Sequence, residues 1–186
     1  TLFLGKMNEV FELTRTNTYV DRADPEFLSA VTQIFRCLDL SDLPEYARED
    51  YAAEAAACLK EILDRTPLPT AEQIPGPENL QSGDGGEPIA QWQIPNTKLS
   101  IARVLEGPRR GEYLFAPGAV LQAKEIYQEV KHQPYRSEGQ PVSPGLYDWF
   151  VSAPGDPIIA AWVDWLPDGF RRRVFNLAVW QWLGVL

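Results

Sequence analysis

Histidine is almost missing from this chain: His132 stands alone among 186 residues, with only two cysteines, Cys37 and Cys58. A zinc centre needs three or four nitrogen and sulfur ligands at close spacing, so no metal site is expected. A serine or cysteine nucleophile would have to rely on that one imidazole as its base. It sits in "EVKHQPY", at the expected end of a helix, where a histidine ordinarily answers the helix dipole. Both cysteines fall on apolar helical faces, where thiols are inert. Glu106 and Glu112 flank a turn and read as solvated carboxylates rather than a glycosidase pair. Positive charge is also in short supply, with 17 Lys and Arg against 26 Asp and Glu and a net charge of −9. Such a surface repels phosphate backbones, so nucleic acid is not an expected partner. No unbroken apolar stretch reaches the ~18 residues of a membrane span. These absences point away from an enzyme and leave no cofactor to expect.

What is present is unevenly spread. Residues 1–88 hold 7 basic and 17 acidic residues, and residues 89–186 hold 10 and 9, so nearly all the negative charge belongs to the first half. The chain opens on Thr1 rather than methionine, as expected of a processed product or an excised piece. Helix starts are written as Asp or Ser followed closely by proline: Asp24-Pro25, Asp42-Leu43-Pro44, Ser143-Pro144 and Asp156-Pro157. The side-chain oxygen caps free backbone N–H groups, and proline gives up one the helix could not use. Leu4, Met7, Val10 and Phe11 form a first apolar stripe. Phe27, Val31, Ile34, Phe35 and Leu38 form a second, and Ala47, Tyr51, Ala55, Cys58 and Ile62 a third with charges opposite. Residues 1–66 therefore predict three antiparallel helices. In an oxidising compartment Cys37 and Cys58 would be able to bridge; the alternative is two buried thiols on neighbouring helices.

Residues 67–90 read as a linker or long loop, since nine of the 22 residues from Pro67 to Pro88 are Pro or Gly. The cluster Gly83–Gly86 lacks the following helix and lysine of a phosphate cradle. Beyond it, "QWQI", "KLSIARVL" and "EYLFA" alternate as short strands joined by "PNT" and "EGPRRG", predicting an antiparallel meander. A helix with Val120, Ala123, Tyr127 and Val130 on one face follows, then two short ones after Ser143-Pro144 and Asp156-Pro157. The expected fold is mostly α with a small antiparallel β-meander (α+β), a helical bundle packed on a short sheet. Residues 91–186 would hold the meander and later helices, ending at a membrane-proximal helix.

Two features invite a functional reading. Arg109 and Arg110 sit at the tip of "GPRRGEYLF", with Arg103 on the strand before it. The simple account is a solvated hairpin tip; the other is an anion or partner contact, for which guanidinium forks are suited. More telling is the tail. Five of six tryptophans follow residue 148, and Trp162, Trp165, Trp180 and Trp182 crowd its last 25 residues. Each buried indole needs a partner for its N–H, whereas at a lipid interface the ring meets acyl chains and the N–H stays wet. The stretch Val174–Leu186, expected to be helical, measures about 20 Å against a ~30 Å hydrocarbon core, so it is either part of a span or interfacial. Arg171, Arg172 and Arg173 precede it, where they would meet lipid headgroups or rest on tryptophan faces.

The stretches "IPNTKLSIARVLEGPRRGEYLFAPGAVLQAKEIYQEVKHQPY", "SPGLYDWFVSAPGDPI" and "AWVDWLP…AVWQWLG" resemble a segment of bacterial proteins of the small-conductance mechanosensitive channel family. The opening "TLFLGKMNEVF" is similar to the start of that segment, with altered spacing, and "FAPGAV" departs from its usual Ser or Thr helix cap. The resemblance covers about two thirds of the chain, strongly from Ile94 to Tyr135 and from Ser143 to Gly184. It implies a non-catalytic domain on the periplasmic (extracytoplasmic) face of the cytoplasmic membrane. The partners it implies are the membrane-embedded remainder of the same polypeptide, into which the chain would run after Leu186, and further copies in a homo-oligomeric channel. Arg171–Arg173 would ordinarily mark a cytoplasmic flank, but that rule weakens for domains of this length. The reading set against this one is a free-standing periplasmic ligand- or protein-binding scaffold.

Overall fold

A computed structural model describes residues 2–15, 20–21, 23–70, 73–74, 91–153, 165, 173–174 and 177–179. Helix α1 (Leu2–Arg15) buries Phe3, Leu4, Met7 and Val10, the expected stripe with Phe3 added and Phe11 at its edge. Helix α2 (Pro25–Phe35) starts as its sequence predicts: Asp24 Oδ1 accepts the N–H groups of Glu26 and Phe27 at 2.9 and 3.0 Å, with Pro25 in the first turn. Asp42 has no such role. Pro44 opens a 3-10 turn (Glu45–Ala47), and α3 (Arg48–Leu63) begins only after it.

Helix α3 departs most from its pattern. Tyr51 is exposed, and from Ala55 to Leu63 every residue is buried, Lys60 and Glu61 included. Glu49 and Asp50 face water as expected, but Lys60 and Glu61 do not, because α1, α2, α4, α5 and α6 all pack around this helix. A central helix must be covered on every side, and its polar groups then need partners inside the protein.

Strands β1 (Gln91–Gln93), β2 (Ser100–Arg103) and β3 (Tyr113–Phe115) form the antiparallel meander in that order. Ile101 faces Trp92 on one side and Phe115 on the other. The sheet is stitched to the end of α2: Phe115 N–H donates to Cys37 O at 2.9 Å and Asp39 N–H to Phe115 O at 3.0 Å. The Phe3 ring meets Phe115 edge-on at 5.0 Å. In the "EGPRRG" turn, Gly107 and Gly111 take φ of 81° and 92°, a region glycine occupies without steric cost. The helix expected after it is two: α4 (Pro117–Leu121) and α5 (Ala123–Val130), broken where Gln122 takes φ −95°, ψ 2°.

Helix α6 (Leu146–Ser152) follows Gly145, whose φ is 77°. Ser143 does not cap it, because its hydroxyl donates to Asn8 Oδ1 at 3.1 Å on α1. Residues before and after the 67–90 stretch share one apolar core, from Phe3 to Tyr147. The start expected at Asp156-Pro157 lies outside the described residues. So does most of the tail, but where a helix is expected from Val174, β4 (Arg173–Val174) pairs antiparallel with β5 (Leu177–Ala178), and β5 lies against α6. Short apolar runs with β-branched and aromatic residues suit a pleated backbone as well as a helical one, and periodicity does not separate the two.

Candidate functional site

The arginine turn is occupied from within. Arg109 donates from Nε and a terminal nitrogen to Glu112 Oε2 at 3.0 and 2.7 Å, and also to the Arg36 carbonyl. It therefore braces the hairpin against the end of α2. Arg103 is half-buried beside Gly111, and Arg110 is exposed. No shared anion cradle is formed by the three. His132 is exposed, and no cluster of metal-capable side chains exists among the described residues. Cys37 and Cys58 are both free thiols, and burial pushes both upward, away from the reactive thiolate. The Cys37 thiol instead donates to Gln33 O at 3.4 Å, one turn back on α2.

Of the expected membrane-facing residues, Trp165 is described and is 81% exposed. Arg173 opens β4. Trp162, Trp180, Trp182, Arg171 and Arg172 lie outside the described residues. No helix among the described residues is long and apolar enough to cross a membrane.

The most organised chemistry in the molecule is one the motif reading did not find. At the C-terminal end of α3, two ion pairs lie side by side inside the protein: Lys60 with Asp64, and Glu61 with Arg65. Lys60, Glu61 and Asp64 have no exposed surface at all. Lys60 Nζ lies 2.6 Å from both Asp64 oxygens and donates also to Pro141 O at 3.4 Å. Asp64 accepts as well from the Ser143 N–H at 2.7 Å and from Arg136 at 3.5 Å. Glu61 accepts from Arg65, from Tyr135 Oη at 2.8 Å and from the Tyr147 N–H at 3.2 Å. Tyr135 Oη in turn accepts the Gly145 N–H at 3.0 Å, and the Arg65 guanidinium lies over the Tyr135 ring at 3.9 Å. Farther along α3, Glu54 accepts from Tyr147 Oη at 3.0 Å and pairs with Lys124 at 2.8 Å.

Each carboxylate here is saturated with donors, as burial of charge demands. Among the described residues these groups are engaged with one another, which makes the cluster an internal joint of the fold. A signal for it was present: "CLKEILDR" carries Lys-Asp and Glu-Arg at i,i+4 within an apolar run, so one pair must turn inward if the helix is central.

Burial also makes the chain sensitive to alkali. The Cys58 thiol and the Tyr127 and Tyr135 phenols are all held above their ordinary values, 9.0 and 10.0, by desolvation first. An acid with a raised folded pKa keeps its full contribution below its unfolded value and loses it as pH climbs toward the folded one. Lys60, lowered by burial, works the other way, favouring the fold as pH approaches 10.5. Cys37 is raised by burial in the same way, and Lys124, raised by its bond to Glu54, also loses its contribution above 10.5. The unfolding free energy should therefore fall from about pH 9 upward, each acid contributing up to about 1.4 kcal/mol per pH unit. Urea midpoints across that range test this, and Cys58→Ala should remove part of the early fall and leave the share of Cys37.

A second feature is a half-open cavity of about 320 Å³ between the start of α1, the meander and Leu68, Pro69 and Ile74. Phe3, Leu63, Trp92, Ile101 and Phe115 supply its apolar wall, and Gln140 and Tyr113 its few polar atoms. Known protein families, curated proteins and solved structures contain no match to this chain.

Proposed function

We propose that this chain is a non-catalytic, extracytoplasmic domain of a small-conductance-type mechanosensitive channel, set against the membrane by its C-terminal residues. Two lines support the reading. The segments that resemble the channel family, Ile94–Tyr135 and Ser143–Gly184, supply β2, β3, the braced arginine turn, α4, α5 and α6, together with the Tyr135 and Tyr147 donors to Glu61 and the Ser143 donor to Asp64. In those segments the distinctive residues hold the protein together rather than act on a substrate. The observation that carries the membrane-facing part is Trp165, with four fifths of its surface in solvent at 81% exposure. Trp92 and Trp149, by contrast, pack against the core. An indole left in water by its own fold is suited to the headgroup layer, where ring and N–H both find partners.

The alternative, a free-standing periplasmic binding or scaffold protein, draws on the 320 Å³ cavity, a size that suits a small apolar ligand. Flotation with vesicles of phosphatidylethanolamine and phosphatidylglycerol separates the two. The membrane-facing reading expects the chain to rise with the vesicles. Replacing Trp165, Trp180 and Trp182 by serine should lower the bound fraction several-fold while the melting temperature hardly moves. A chain that stays in the dense layer, or a triple variant that melts far lower, would favour the free-standing protein.

A further inference from the structure

Residues 135–152 are joined to the rest of the molecule in an unusual way. Their polar side is held to the last turn of α3 by charge: Tyr135 and the Tyr147 N–H on Glu61, and Arg136 and the Ser143 N–H on Asp64. The backbone adds Arg136 N–H to Asp64 O at 2.8 Å. Their apolar side is less well filled. A half-open apolar pocket of about 80 Å³ lies where Leu146, Trp149 and Phe150 of α6 meet α1, α2 and α3, with Met7, Ile34 and Ala56 in its wall. Trp149 Nε1 is buried there without a hydrogen-bond partner among the described residues.

These facts bear on where the molecule opens first. Interiors are normally packed to crystal density, and an unfilled pocket forfeits the dispersion contacts its lining would have made. An orphaned indole N–H regains a partner as soon as water enters. Buried carboxylates and cations likewise recover their hydration on opening, which repays much of the lost pairing. Separation along this seam therefore returns buried charge to water, whereas separation of α1 or α2 from α3 exposes apolar surface.

We infer that residues 135–152 form an arm that detaches from α3 as one unit, with Glu61 and Asp64 as its clasp, before the remainder of the fold unravels. The clasp sets the strength of the joint, and α6 is its moving part. If the chain sits on a channel, as proposed above, the contact of β5 with α6 ties this joint to the C-terminal part of the chain. Pulling on the tail would then load Glu61 and Asp64 first. That last step rests on the channel reading; the arm itself does not.

Amide hydrogen exchange on the 186-residue chain tests the arm. In Glu61→Gln, the amides of Tyr147 to Val151 should exchange at least about tenfold faster, as loss of charge-assisted bonds implies. Val10 on α1 and Ile34 on α2 should keep their rates. Tyr135→Phe, which keeps the ring under Arg65 and removes one hydroxyl, should show the same regional pattern at smaller amplitude. Uniform acceleration in every helix, or none at Tyr147 to Val151, would overturn the proposal. In the full-length polypeptide, Glu61→Gln should change the membrane tension at which current appears. Wild-type current with an unchanged threshold in the variant would remove the load path and leave the arm standing. No tension-activated current in the wild type would sink the channel reading, and the load path with it.

Discussion

Asp64→Ala should lower the unfolding free energy by about 3–5 kcal/mol, the loss seen when one partner of a buried ion pair is removed. Lys60 would remain with no exposed surface and no carboxylate, keeping only the Pro141 carbonyl at 3.4 Å. The Ser143 N–H would lose its acceptor in the same step, while the Arg136 guanidinium would lose its ion-pair partner and keep the Glu138 and Gln140 carbonyls. Replacing both members of the pair, Lys60→Met with Asp64→Leu, removes the stranded charge, so this double variant should recover much of the loss. Urea titrations of the four forms provide the cycle. A single variant within about 1 kcal/mol of wild type would mean that the pair is solvated, contrary to its complete burial.

The second large effect belongs to the same helix. Leu59 has no exposed surface, and α3 is surrounded by five other helices. Leu59→Ala should therefore cost about 2–5 kcal/mol, a transfer loss plus the cavity that remains. Leu28→Ala on α2, at a side chain 48% exposed, should stay within about 0.5 kcal/mol. The comparison is read from urea midpoints at unchanged slope. Equal effects at the two sites would contradict α3 as the central helix.

The meander, α1 and α2 were legible because their signals are local. Alternating residues, "PNT" and "EGPRRG" turns, and an Asp-Pro start act over a few positions, and β1 to β3 and the Asp24 cap follow from them. What could not be read depends on neighbours distant in the chain. Lys60 and Glu61 look like a solvated stripe until five helices close around α3, at which point the same residues become a clasp. Ser143 looks like a cap, yet its hydroxyl is taken by Asn8, 135 positions away. Arg109 reads locally as a solvated hairpin tip or an anion or partner contact, and its bond to the carbonyl of Arg36 at the end of α2 shows only in the folded chain. Cys37 and Cys58 were left open between a bridge and two thiols, and they are thiols. The helix expected at Val174 gave way to paired strands because its apolar run is too short for periodicity to decide.

A channel domain needs no reaction centre, but it does need firm internal joints and a surface that tolerates lipid. The saturated Glu61 and Asp64 clusters and the exposed Trp165 meet those two needs. The most direct measurement of the proposed channel reading is a patch-clamp recording from giant vesicles holding the polypeptide that, on that reading, runs on from these residues into the membrane. The account predicts currents that appear as suction stretches the membrane and vanish when it is released. A complete polypeptide that leaves the vesicles silent under tension up to rupture would contradict it.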